Sequence, residues 1–322
     1  MKFTLKASAD LRNVGFNAAT DTFVGFIGQN TFVGTGPSTC VNPAGNARAC
    51  GGPNGVVTDS SHLVWASDGN STIKVLNPAP GTTFIKSLAT GGSVRADELS
   101  YDSRDQIILI ANDAECFVTF INVANQSVAG HFYYTDANCA PAAVTSGGHF
   151  VPGHTTAGGG IEQSVWDPET GLFYQAVPAG TSAGSAGFID VFDPVSEKLV
   201  KTFSAPGCDG GPTGLALGPN QRFLGACGNG AIAIELHNGK VHKLVSGVGG
   251  ADEVWFNPGD NNFYLAISGI PALGVVDADN DHVVAAPTGK GGHSVAAYAG
   301  NNQHLRSECG GHRHKRLRQQ LI

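Results

Sequence analysis

Charge is scarce in this chain. Asp, Glu, Lys and Arg together make up 14% of the 322 residues, and the formal net charge is −7. A body of that balance is not built to hold a polyanion, so no nucleic-acid partner is expected. Long apolar runs are missing as well. No stretch approaches the roughly 18 consecutive apolar residues of a membrane-spanning helix, so a water-soluble protein with no membrane partner is expected. Helical periodicity is almost absent, and so are a Walker loop, an H-E-x-x-H pair and a C-x-x-C pair, which removes the nucleotide and structural-zinc readings. The run Gly158-Gly159-Gly160 lacks the strand-turn-helix setting in which glycines bind a dinucleotide.

What is present is glycine, proline and short apolar segments: 45 Gly and 16 Pro beside 41% hydrophobic residues. That mixture describes many short buried strands joined by tight turns. One pattern recurs along the chain: a small or acidic residue, an apolar pair, an Asn or Asp turn, then a second apolar strand. Asp252-Glu253-Val254-Trp255-Phe256-Asn257-Pro258 leads into Asn262-Phe263-Tyr264-Leu265-Ala266. Glu162-Gln163-Ser164-Val165-Trp166-Asp167-Pro168 and Asp97-Glu98-Leu99-Ser100-Tyr101-Asp102 repeat it, with weaker copies from Asn13, Asn54, Thr213 and His293. The starts are separated by 41, 43, 65, 51, 39 and 41 residues, the spacing of propeller blades with two insertions. The expected fold is therefore all-β, a single β-propeller of four-stranded antiparallel blades over residues 1–300, with seven blades favoured and six as the alternative. Residues 301–322 carry Arg306, Arg313, Lys315, Arg316 and Arg318 and break the pattern. They read as a basic, disordered or aberrant tail. The last repeat would be closed by the N-terminal strand, Lys2 to Ala7.

Seven cysteines suggest local bridges: Cys40 with Cys50, Cys116 with Cys139, Cys208 with Cys227, and Cys309 free. Together with the sequons Asn70-Ser71-Thr72 and Asn125-Gln126-Ser127 they point to a glycosylated, disulfide-bonded protein of the secretory pathway or the extracellular space. The first residues lack an apolar leader core, since Lys6 and Asp10 interrupt it, so the leader is absent or atypical; a cytoplasmic location is the alternative.

In a propeller the residue that opens each innermost strand faces the central channel. At that position stand Asn54, Asp97-Glu98, Glu162-Gln163, Thr213, Asp252-Glu253 and His293. Acids repeated at one register need solvent, a metal or a ligand. Asp97, Glu98, Glu162, Asp252, Glu253 and His293 are accordingly the candidate catalytic set, acting as general acids and bases. Asn54, Gln163, Thr213 and Trp255 are candidate substrate contacts, with His149 and His154 reaching over the mouth from the Gly-rich insertion between Asn138 and Gly160. The alternative is a channel lined with solvated polar groups that perform no reaction.

The copies around Asp97, Asp252 and His293 resemble the YVTN and cytochrome-d1-like propeller repeats, which implies the fold. In general character the chain also resembles fungal secondary-metabolite propellers that include hetero-Diels–Alderases. That likeness implies a cofactor-free enzyme joining a tropolone-derived quinone methide to a humulene-type sesquiterpene, with the channel acids assisting water loss. Two further readings stand beside it. A lactonase of the gluconolactonase and SMP-30 type would hold a divalent cation such as calcium at Asn54, Glu98, Glu162 and Asp252. A non-catalytic propeller would bind a protein or glycan.

Overall fold

The computed structural model describes residues 2–5, 13–17, 22–28, 30–32, 34, 39–41, 47–49, 51–78, 83–134, 149–151, 160–178, 186–287, 291–308 and 314–317. Across them the chain forms successive antiparallel sheets, which we number as blades in chain order. Blade 1 holds Lys2–Leu5, Asn13–Asn17 and Thr22–Ile27. A hairpin, Thr39–Val41 with Ala47–Ala49, separates it from blade 2. Blade 2 runs through Val56–Thr58, Val64–Asp68, Thr72–Asn77 and Thr83–Ala89. Blade 3 runs through Leu99–Asp102, Ile107–Asn112, Phe117–Asn122 and Ser127–Tyr134, and gains a fifth, parallel strand, His149–Val151. Blade 4 is Ser164–Asp167, Leu172–Val177, Phe188–Asp193 and Lys198–Ser204. Blade 5 is Leu215–Gly218, Arg222–Cys227, Gly230–Glu235 and Lys240–Val245. Blade 6 is Ala251–Asn257, Asn262–Ile267, Ala272–Asp277 and Val283–Pro287. Blade 7 is Gly292–Tyr298, Gln303–Glu308 and His314–Leu317.

A sheet that is apolar on both faces must be covered on both, and the blades cover one another. Apolar layers lie between consecutive blades: Ile27 and Phe32 against Val64 and Leu76; Trp65, Ile73 and Val75 against Ile108 and Ile110; Phe120 and Phe132 against Phe173 and Phe192. The series continues with Tyr174 and Ile189 against Phe223 and Ile232, Leu224 and Ala233 against Val254 and Leu265, and Tyr264 and Leu273 against Val295 and Ala297. Aromatic rings lock some of these layers edge to face, as Phe132 does on Phe192 at 5.0 Å and Tyr174 on Phe223 at 4.8 Å, the arrangement favoured by the ring quadrupoles. Lys2–Leu5 lies beside Gly292–Tyr298 and closes the ring.

The recurring Asn or Asp turn has a local cause. Asp59 accepts the Ser61 and Leu63 amides, both at 2.9 Å, Asp102 accepts Arg104 at 2.7 Å and Asp105 at 3.1 Å, and Asp167 accepts Glu169 at 3.0 Å. A short side-chain acceptor satisfies the amides that a tight turn leaves unpaired.

Two expectations are corrected. Lys2–Leu5 pairs with Asn13–Asn17 and belongs to blade 1, so it does not complete the last blade; His314–Leu317 supplies that third strand. The segment set apart as a basic tail thus contributes strands Gln303–Glu308 and His314–Leu317. Among the described residues, blades 2, 4, 5 and 6 hold four strands each, blades 1 and 7 three, and blade 3 five. Cys208 and Cys227 form a disulfide with a Cα–Cα distance of 5.1 Å. Cys116 is also disulfide-bonded, while Cys50, Cys139 and Cys309 lie outside the described residues.

Candidate functional site at the channel mouth

The repeat starts share one backbone geometry. The amides of Asn54, Asp97, Glu162 and Thr213 bond to the carbonyls of Ser67, Ala111, Ala176 and Ala226 on the next strand, and those four residues bond back to the carbonyls of Gly55, Glu98, Gln163 and Gly214. The regular ladder begins two residues later, at Val56, Leu99, Ser164 and Leu215. In blades 6 and 7 an irregularity spans Ala251 to Val254 and Gly292 to Val295, so the ladder again resumes two residues after Asp252 and His293. Asn54, Asp97, Glu162, Thr213, Asp252 and His293 are therefore equivalent positions in six successive blades. Asn13 differs, because it opens the second strand of its sheet.

Equivalence of position does not give equivalence of role. The polar members stitch neighbouring blades together. Asn54 is buried and donates its side-chain amide to the Ala96 carbonyl at 2.9 Å. Thr213 donates its hydroxyl to the Ala251 carbonyl at 2.9 Å. Gln163 accepts the Leu215 amide at 2.8 Å and the Val254 amide at 3.2 Å and donates to the Val254 carbonyl at 3.3 Å, so one side chain ties blade 4 to blades 5 and 6. Trp255 is 40% exposed, three residues beyond the equivalent position. His149 sits in the strand added to the outer edge of blade 3, at the far side of the sheet from the channel, and His154 lies outside the described residues. Glu98 is half-buried, its Cα packed close to Gly55 of the preceding blade.

The ionisable members converge. His293 Nε2 lies 2.6 Å from an Asp252 carboxylate oxygen, and its Nδ1 faces Glu253 at 3.7 Å. Ser294 donates to Glu253 at 2.9 Å. On the other side stands a residue that sequence reasoning missed, Arg95. Its guanidinium pairs with Asp97 and, at 3.0 Å, with Asp113. Burial works against the Arg95 charge, but the carboxylates of Asp97, Asp113, Glu162 and Asp252 outweigh it and raise its pKa. Glu162 is the half-buried carboxyl at the centre of this group. Loss of hydration, then the like charges of Asp113, Asp252 and Asp97, push its pKa well above the usual carboxylate range, and Arg95 only partly opposes them.

A signal for Arg95 was present. Two residues before each repeat start the six blades read Gly52, Arg95, Gly160, Gly211, Gly250 and Gly291. Gly160, Gly211 and Gly250 have positive φ there, which favours glycine. Arg95 adopts φ 34°, a value that costs an L-residue roughly 1 kcal/mol. Asp113 follows the second strand of blade 3 and belongs to no repeated register, so nothing in the sequence marks it.

Among the described residues no three His, Cys, Asp or Glu side chains are grouped to hold a metal ion; Asn54 donates its Nδ2 to a backbone carbonyl. One G-x-S-x-G run does occur, Gly180-Thr181-Ser182-Ala183-Gly184. It lies outside the described residues, between the strands Leu172–Val177 and Phe188–Asp193 of blade 4.

With this geometry in view, the chain can be set beside known proteins. It is similar to a hydrazine synthase structure of Kuenenia stuttgartiensis, with a TM-score of 0.73 and 12% identity over 99% of this chain and 93% of that one. It is also similar to a chain of a mitotic checkpoint complex, with a TM-score of 0.65 and 12% identity over 95% of this chain and 81% of that one. The fold is a β-propeller. At such identity the likeness extends to the fold alone. No family model and no curated protein matches the sequence, so the YVTN and Diels–Alderase resemblances find no support here.

Proposed function

We propose that this propeller is an enzyme that moves protons on a small organic molecule at the channel mouth, in a dehydration or related lyase reaction. The observation that carries the reading is the gathering of carboxyls at the equivalent strand starts, with Arg95 paired to Asp97 and Asp113 and His293 to Asp252, among which lost hydration and like charge push the Glu162 pKa up. A carboxyl whose surroundings favour its protonated form suits the role of general acid, and a neighbouring carboxylate that of general base. Glu162 would give its proton to a leaving hydroxyl as the carbon–oxygen bond breaks and water departs. The Asp252 carboxylate, steadied by His293 at 2.6 Å, would take the proton from the neighbouring carbon as the double bond forms. Formation of a quinone methide ahead of cycloaddition is one reaction of this class.

The test starts from an untargeted comparison of metabolites in a strain lacking the gene and its parent. The compound that accumulates is offered to purified protein, and Glu162→Gln is expected to lower turnover by at least 100-fold, the usual scale of a general acid. Full turnover by that variant would refute the acid role. Absence of any consumed metabolite, with a retained binding partner, would favour the non-catalytic propeller.

A further inference from the structure

The glycine column that Arg95 interrupts has a consequence for the acids around it. Arg95 is held from both ends. Its own amide donates to the Gly69 carbonyl of blade 2 at 2.8 Å, and the Ala96 amide donates to Asp68 at 3.2 Å. The turn before it is clamped by buried Glu115, which accepts the Ser93 amide at 2.7 Å, the Ser93 hydroxyl at 2.9 Å and the Val94 amide at 3.1 Å. Gly92 leaves room for that carboxylate, since a Cβ there would collide with it. A long side chain forced into a glycine-type backbone position, with a buried carboxylate fixing its turn, is an arrangement that persists only where its surroundings over-determine it. Its guanidinium, 16% exposed, reaches the Asp97 and Asp113 carboxylates.

We infer that Arg95 is a positioning residue for Glu162: it holds the Asp97 and Asp113 carboxylates in fixed places beside the strand start that carries Glu162, while Glu115 fixes the turn that aims Arg95. The inference rests on the proton-transfer reading for its use in catalysis, but the arrangement can be tested without a substrate. The Asp113 carboxylate lies against Gly160, two residues before Glu162; Asp113, Asp252, Asp97 and Arg95 are the charges acting on the Glu162 carboxyl, with His293 and Glu253 beside Asp252. Arg95 is the only cation acting directly on it in this set, so its removal leaves like charges unopposed.

The experiment is a pH titration of protein carrying 13C-labelled glutamate carboxyls, with the Glu162 signal identified by its absence in Glu162→Gln. Arg95→Gly restores the residue type of the other five blades and relieves the backbone, so it is the variant best placed to fold. Its Glu162 midpoint is expected to move upward. Arg95→Lys, which keeps the charge, should return the midpoint most of the way. Glu115→Ala, which leaves Arg95, Asp97 and Asp113 in the chain, should move it upward by less than Arg95→Gly. A midpoint unmoved in Arg95→Gly, with only a fall in melting temperature, would reduce Arg95 to a structural ion pair and overturn the inference. Should Arg95→Gly not fold, an unmoved midpoint in Glu115→Ala overturns it alone. Full turnover by Glu162→Gln beside a shifted midpoint in Arg95→Gly would sink the proton-transfer reading and leave the positioning role standing.

Discussion

Removing the bridge between Cys208 and Cys227 should lower stability by an amount the structure allows to be worked out. The two cysteines are 19 residues apart, with both sulfurs in the apolar layer that Leu215, Phe223 and Ile232 share with blade 4. Closing a loop of that length removes about 3 kcal/mol of chain entropy from the unfolded state in the usual model. Unfolding a protein of 322 residues carries an entropy of roughly 2.1 cal/mol/K per residue, about 0.7 kcal/mol/K in all, so the loss corresponds to about 4 °C in melting temperature. Cys208→Ala combined with Cys227→Ala is the cleaner perturbation, because both side chains are about 1% exposed and a reductant reaches them slowly. Differential scanning calorimetry at fixed pH, with mass spectrometry of the unreduced parent to count free thiols, reads the effect. A melting temperature lowered by less than 1 °C, in a parent shown to carry the bridge, would refute the entropic account.

Other outcomes follow from the same contacts. Native Glu162 keeps its proton where an unfolded glutamate, titrating near 4.5, has lost it. Folding therefore takes up a proton, and stability should fall as pH rises above 4.5 until Glu162 ionises; denaturant titrations of Glu162→Gln across that window should lack this slope. His131 runs the other way. Burial depresses its pKa although it bonds to the Thr90 carbonyl at 2.8 Å, so its contribution is lost as pH falls below about 6.5, and His131→Gln should flatten that acid limb. Gly160→Ala places a Cβ at φ 80° against the Asp113 carboxylate; it should cost at least about 1 kcal/mol and shift the Glu162 titration, whereas an unchanged titration would mean Asp113 does not act on it. Expression through a eukaryotic secretory pathway should add an N-glycan at Asn125, which is exposed in a turn, and not at Asn70, which is half-buried beside fully buried Ser71. Intact mass after N-glycan removal, with Asn125→Gln as control, decides it.

The fold was legible because its signals are local. A turn acid such as Asp59 or Asp167 binds amides two to four residues away, and an apolar strand follows within a few residues, so each repeat announces itself without reference to its neighbours. The register of Asp97, Glu162, Asp252 and His293 was legible for the same reason, since repetition aligns it. What those residues do was decided by the tertiary structure. Asn54, Thr213 and Gln163 stand at or beside that register, yet their partners lie 38 to 91 residues away on the next blades, and closure of the ring chose which polar side chains became stitches. Asp113 sits outside every repeat and enters the site only because blade 3 packs its second strand beside the turn carrying Arg95. A periodic pattern records what each blade needs to fold; the charge balance at the channel depends on distances between blades, which no periodicity in the chain encodes.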